Sequence, residues 1–241
     1  VSPSANITTI TSSVSYPFTS IIYSLGRSIV LPAYFGNIDI TGLENFPQQG
    51  PVVIAPTHRS RWDGITIGYA FGRPVIGRNP RFMVTVNEMK GFQGWFIRQF
   101  GGFPIDPDQP SIAALRHGID LLQAQQVLVI FPEGDVMRDR YVQYLKPGFA
   151  RLAIQAQKRQ HKHNPDIQIV PVALDYGESA PQKGCSLSVK IGQPLNTAQY
   201  QGPAKKAAAA LISDLKGALN TLIDESIPNP EMAPSVGSRI M

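Results

Sequence analysis

Short, wholly apolar runs recur along this chain, alternating with stretches whose apolar residues repeat at helical spacing. Residues 52–55 form one such run, closed by Pro56, and residues 127–131 form another; residues 167–174, interrupted by Gln168, read as a further strand. Runs of this length with no polar face predict strands covered on both sides, as in a parallel sheet. Residues 81–86 and 103–105 read as two further strands. Leu187, Val189 and Ile191 alternate with polar residues, the pattern of a half-buried strand.

Between these runs, residues 64–71, 92–100, 111–125, 148–158 and 205–226 predict helices. In the third of these, Ile112, Leu115, Ile119 and Leu122 make one apolar stripe. Ser111 suits its N-cap, and His117 falls off the stripe as a solvated residue. Pro147 suits the first turn of the fourth. Phe18, Ile21, Ile22, Leu25 and Ile29 predict an earlier helix over 16–31, ended or kinked at Pro32. Strands alternating with helices predict an α/β domain with a central mixed, largely parallel sheet flanked by helices. Residues 1–15, rich in Ser and Thr, are expected to be flexible. Residues 227–241, with three prolines and no periodicity, are expected to be a disordered tail.

Composition adds a surface to this outline mainly through what it lacks. The chain has 241 residues, 43% of them hydrophobic, which suits one large domain with a substantial core. Charged residues make up 16%, below the ~25% of an average soluble domain, which fits a surface held partly against something apolar. The net charge of +5 attracts polyanions, either nucleic acid or anionic lipid. The basic residues are scattered, with no run of five, so no nucleic-acid partner is expected. No stretch approaches the ~18 apolar residues that span a bilayer; the nearest, 21–35, is broken by Gly26, Arg27 and Pro32. Nor does the start of the chain read as a secretory signal. Residues 16–35 are therefore expected to form a short N-terminal membrane-associating helix, with Arg27 near lipid headgroups. The competing reading is a helix packed on the domain core. The expected location is intracellular, peripheral or monotopic on the cytoplasmic side of a membrane. Cys185 is the single cysteine, which excludes an intrachain disulfide.

Two loops carry candidate chemistry, each following a buried strand. The first is 57–63, with His58 and Asp63 five residues apart. On one continuous helix that spacing turns the two by about 140°, so they meet only if His58 lies in a loop and Asp63 in the first helical turn. Paired so, the carboxylate fixes the imidazole tautomer and leaves Nε2 as a base for a hydroxyl. The plainer alternative is a helix-capping Asp63 beside an ordinary loop histidine. The second loop is 131–134, Phe131, Pro132, Glu133 and Gly134. A glutamate there needs a donor such as an arginine or a substrate hydroxyl; the plainer alternative is a turn. The segment 101–106 adds paired glycines, which permit close backbone approach. His161 and His163 lie in a polar connector and read as solvated, so no metal site is expected.

In this order, the segments 58–63, 101–106, 131–134 and 170–174 resemble the four sequence blocks of the lysophosphatidate and glycerol-3-phosphate acyltransferase family. The resemblance covers roughly residues 38–192 and implies an acyltransferase domain over 36–226. It also implies a thioester donor, acyl carrier protein or coenzyme A, and a glycerolipid hydroxyl acceptor, with no cofactor, metal or covalent intermediate. His58 becomes the catalytic base and Asp63 its partner. Gly101, Gly102, Ile105, Asp106, Phe131, Pro132, Glu133 and Gly134 become acceptor-binding residues.

The family usually carries arginines where this chain has Pro107 and Val136. Arg138, with Arg140 and Lys146 behind it, is then the expected headgroup cation, and Lys90 only loosely matches the family's lysine before the second block. The expected reaction is acyl transfer to 1-acylglycerol 3-phosphate, giving phosphatidate. The alternatives are transfer to another lysolipid or to glycerol 3-phosphate, thioester hydrolysis, and non-catalytic lipid binding. Hydrolysis lacks support from a Gly-x-Ser-x-Gly elbow, which is absent.

Overall fold

The computed structural model describes residues 10–161, 163–178 and 181–225. An N-terminal helix begins as α1, Tyr16–Leu25, passes through a π turn at Gly26–Val30 and ends as α2, Leu31–Tyr34. Then follow β1 Asn37–Thr41, β2 Val52–Pro56, α3 Asp63–Phe71, α4 Arg73–Ile76, β3 Pro80–Thr85, α5 Gly91–Gln99 and β4 Gly102–Ile105. The second half adds α6 Ile112–Gln123, β5 Val127–Val129, α7 Pro147–Lys158, β6 Gln168–Asp175, β7 Ser186–Ile191, β8 Leu195–Asn196 and α8 Ala204–Asp224.

One sheet runs in the order β1-β7-β6-β2-β5-β3-β4, with β8 pairing β6. Strands β4, β3, β5, β2 and β6 are mutually parallel. The β6–β7 pair is antiparallel and β1 runs with β7, so the sheet is mixed and largely parallel. Register sets Val53 against Leu128 on one side and Ile169 on the other. Every residue of β2 and β5 is buried, as their wholly apolar sequences require. Alternate residues feed two cores: Val53, Ala55 and Leu128 pack with Leu122, Leu152 and Leu215 of α6, α7 and α8. Val52, Ile54 and Val129 pack with Leu31, Ile67 and Phe71 of α2 and α3.

Several elements differ from the sequence-based expectation. Strand β1 carried no strong apolar run, because it is an edge strand with Ile38 and Ile40 only half-buried. Ile112 is 69% exposed, and Ala114, Gly118 and Leu121 join Ile119 and Leu122 on the buried face of α6. Ser111 does cap α6, its Oγ accepting from the Ala114 N–H at 3.1 Å. Pro32 does not end the N-terminal helix. The π turn, closed by the Leu31 N–H on the Gly26 carbonyl, opens the helix just before the proline and lets α2 continue.

Of the start expected to be flexible, residues 1–9 lie outside the described residues and residues 10–15 pack beside the end of α5, just ahead of β4. Val14 makes an antiparallel bridge to Phe100, and the Ser15 N–H donates to the Gln99 carbonyl at 3.1 Å. Ser12 Oγ is hydrogen-bonded to His117 Nε2 at 2.8 Å. His117 is therefore half-buried, edge-on to Phe103 at 4.7 Å, rather than solvated. Burial pushes its pKa below the ordinary value. The expected tail, 227–241, lies outside the described residues.

Candidate active site

Strand β2 delivers the first loop at its C-terminal end, where open parallel sheets commonly bind ligands. Thr57 is still tied to β6: its N–H donates to the Val172 carbonyl and its Oγ1 accepts from the Leu174 N–H, both at 2.9 Å. The chain then leaves the sheet, and residues 58–62 form a non-helical loop before α3 opens at Asp63. The five-residue spacing thus closes: His58 Nδ1 lies 2.7 Å from Asp63 Oδ2.

Asp63 is fully buried, so its charge needs donors. Oδ2 also accepts the Arg59 and Ser60 N–H groups at 2.6 and 2.9 Å, and Oδ1 accepts the Tyr176 hydroxyl at 2.6 Å. The two backbone donors precede Asp63, so its carboxylate closes the loop and does not cap the helix. Burial, and then the Asp63 carboxylate, push the Tyr176 phenol far above its ordinary pKa, so it stays protonated and donates. Its oxygen is also hydrogen-bonded to Thr66 Oγ1 at 3.1 Å. With Nδ1 donating to Asp63, His58 carries its lone pair on Nε2. The His58 side chain is 21% exposed, open enough for a substrate to reach.

The second loop clamps the first. After β5, Phe131 lays its ring 4.4 Å from that of His58. Glu133, 1% exposed, accepts the His58 N–H at 2.8 Å and the Arg59 Nη1 at 2.9 and 3.0 Å. The Met137 N–H donates to the His58 carbonyl at 2.8 Å. Both backbone groups of His58 are therefore held by residues 133–137. Arg59 is the donor that the sequence demanded for Glu133 without identifying. Its Nη2 is buried with no hydrogen-bond partner, a cost left on this ion pair.

Replacing Glu133 by glutamine keeps an acceptor for the His58 N–H but leaves the Arg59 charge without its counter-ion. The expected loss is roughly 3–5 kcal/mol of stability, read from urea midpoints at constant m. A shift below about 0.5 kcal/mol, the range of an ordinary surface substitution, would show that the pair carries no such load.

The third segment divides. Gly101 and Gly102 stand at the start of β4, level with the middle of β2 rather than with His58: Gly102 pairs with Phe82, Phe82 with Val129 and Val129 with Ile54. A Cβ on Gly102 would fall 2.3 Å from Ile97 Cγ2, and one on Gly101 2.8 Å from Arg81 Cδ, so these glycines admit α5 and Arg81 at close range. The contacts the structure gives these two glycines are packing contacts, and it brings neither of them to the His58 loop. Ile105 and Asp106 lie at the C-terminal end of β4, level with His58 but three strands away, ~14 Å at ~4.8 Å per strand. Asp106 Oδ1 accepts the Asp108 and Gln109 N–H groups and shapes the turn there. Arg138 is exposed on the loop after Gly134. Among the described residues no group of three His, Cys, Asp or Glu side chains is placed to hold a metal ion.

Arg59 and Tyr176 escaped the sequence reading. Arg59 was visible only as a neighbour of His58. Tyr176 follows β6 and has no local pattern that pairs it with Asp63, 113 residues away.

A buried carboxylate orienting a partly exposed imidazole at a strand end is the constellation of a hydroxyl-activating base. A model of the acyltransferase family matches residues 37–175, more than half of the chain, and the chain belongs to that family. The 1-acyl-sn-glycerol-3-phosphate acyltransferase of Bacillus subtilis (strain 168) is 27% identical over 197 residues, covering 79% of this chain and 88% of that protein. The protein of the same name from Streptococcus pneumoniae (strain ATCC BAA-255 / R6) is 29% identical over 131 residues, 52% of this chain; the match spans 45% of that relative's length. The fold is that of the 1-acyl-sn-glycerophosphate (LPA) acyltransferase PlsC from Thermotoga maritima, whose crystal structure superposes with a TM-score of 0.62. The sequences are 17% identical, and the match covers 86% of this chain and 79% of that one.

Proposed function

We propose that this chain transfers a fatty acyl group from an acyl thioester, carried by acyl carrier protein or coenzyme A, to the free hydroxyl of 1-acylglycerol 3-phosphate, giving phosphatidate. The observation that carries the reading is the 2.7 Å contact of His58 Nδ1 with buried Asp63, which leaves Nε2 to act as base. His58 Nε2 takes the proton of the acceptor hydroxyl as its oxygen adds to the thioester carbonyl. The tetrahedral intermediate collapses, the C–S bond breaks and the imidazolium returns the proton to the leaving sulfur. Thiols ionise near ~8.5, so sulfur leaves readily and activation of the hydroxyl is the main demand. Asp63 stabilises the imidazolium, and Tyr176 holds Asp63. The names of the two bacterial relatives support the acceptor.

A different lysolipid is the second reading, favoured by Pro107 and Val136 where the family usually has arginine. In the leading reading Arg138 stands at the rim and contributes to the headgroup site together with the turns around Asp106 and Gly134. Purified protein given acyl-carrier-protein and coenzyme-A thioesters, with a panel of lysolipids, separates the readings. Preferred turnover of 1-acylglycerol 3-phosphate is the expected result; preference for a lysolipid without a phosphate monoester would replace the first reading by the second.

The enzyme works from a membrane surface. Among the described residues no helix is long and apolar enough to cross a membrane. Yet Ile21, Leu25 and Ile29 are 67, 43 and 58% exposed along the N-terminal helix. Phe18 packs edge-on against Trp95 and Phe96 of α5, where Phe92 and Trp95 are stacked and 77 and 46% exposed. Apolar side chains presented together by two adjoining helices suit the headgroup boundary of a bilayer. Arg27 lies over the Tyr69 ring at 5.0 Å and donates to the Tyr69 carbonyl at 3.2 Å. Changing Ile21, Leu25 and Ile29 to serine together should weaken flotation with anionic liposomes by at least about tenfold. Unchanged flotation of the folded variant would move the docking surface elsewhere.

A further inference from the structure

Lys146 joins two turns at the C-terminal end of the sheet. Gly134 has a φ of +79°, and a Cβ there would fall 2.6 Å from both Cδ and Cε of Lys146. The lysine stem therefore occupies the space that any other residue at 134 would fill. The Lys146 N–H donates to the Pro132 carbonyl at 2.8 Å, which seats the residue a second time. Its ammonium reaches across to Asp108 Oδ1 at 3.1 Å. The Lys146 side chain is 35% exposed and that of Asp108 84%, so this pair is shallow and its partners exchange at little cost.

We propose that Lys146 is the cation that receives the acceptor's phosphate monoester, and that Asp108 is its resident counter-ion, displaced when the lysolipid binds. The proposal rests on the acceptor reading above. In 1-acylglycerol 3-phosphate the carbon bearing the reacting hydroxyl adjoins the carbon bearing the phosphate. The cation must therefore stand on a wall that touches His58. Lys146 does: its stem covers Gly134, the neighbour of Glu133, which holds the His58 N–H. Of the other nearby cations, Arg59 is buried on Glu133, Arg61 pairs with Glu88 and Arg140 lies over the Tyr141 ring; exposed Arg138, on the loop after Gly134, is the second cation of this headgroup site, without the seat on Gly134 that fixes Lys146. A phosphate monoester carries a charge of about −1.5 to −2 and outcompetes a single exposed carboxylate for the ammonium.

The two partners make opposite predictions, which separates headgroup binding from a mere latch between turns. Lys146→Met keeps the stem over Gly134 and removes the charge; Asp108→Asn removes the competitor. With 1-acylglycerol 3-phosphate as acceptor, Lys146→Met should raise KM roughly tenfold or more, and Asp108→Asn should lower it. Neither should move KM for the acyl thioester, or for 1-acylglycerol, which lacks the phosphate. A latch predicts that both substitutions act in the same direction on both acceptors, and that outcome overturns the proposal. So does an unchanged KM in a Lys146→Met protein whose melting temperature matches wild type. An unchanged KM in Asp108→Asn removes Asp108 from it. Wild-type protein that fails to acylate the phosphorylated acceptor overturns the acceptor reading itself, and the Lys146 assignment with it.

Discussion

Replacing His58 by alanine is expected to lower acyl transfer on the order of 10²–10⁴-fold, with the fold intact. The imidazole is the base in the proposed reaction, and its side chain contributes little else. It meets Asp63 and the Phe131 ring and is 21% exposed. Without it, Asp63 still accepts the Arg59 and Ser60 N–H groups and the Tyr176 hydroxyl, so its charge stays compensated and the loop stays closed. The His58 backbone keeps its bonds to Glu133 and Met137, which do not depend on the side chain. The measurement is single-turnover acyl transfer beside a melting curve. Near-wild-type turnover by a folded variant would end the mechanism.

Asp63→Asn tests the other half of the pair. Asparagine can point its oxygen at the three donors of the loop and its NH₂ at Tyr176, whose oxygen accepts while its proton turns to Thr66. Geometry and tautomer then survive, but a neutral amide cannot stabilise the imidazolium that forms during transfer. The expected loss is on the order of 10²–10⁴-fold in kcat, with KM for both substrates nearly unchanged. A normal kcat with only a shifted melting temperature would mean that Asp63 serves the loop alone.

The large elements of the fold were legible because their physical demands are local. A strand buried on both faces must be apolar at every position, so residues 52–55 and 127–131 announced β2 and β5, and the apolar stretch 169–174 announced most of β6. An N-cap needs one hydroxyl at one position, and Ser111 supplied it. Strand β1, half-buried at an edge, faces a weaker demand and left a weaker trace. The turn of α6 that set Ile112 in solvent was not legible either, since a stripe reports a face only when its neighbours are known.

The sequence by itself determined an α/β domain, the segments that carry chemistry and the requirement that His58 stand in a loop before Asp63 opens a helix. These follow from spacing, periodicity and the cost of burying unpaired polar groups, all properties of short stretches. Tertiary structure alone decided which distant groups meet. The parallel pairing of β2 with β5 brings Glu133 to Arg59 and to the His58 N–H, and that of β2 with β6 brings Tyr176 to Asp63. The pairing of β3 with β4 set Gly101 and Gly102 below the level of the His58 loop. Partners 74 to 113 residues apart share no local pattern; they meet because strand register, set by the whole core, places the loop ends side by side.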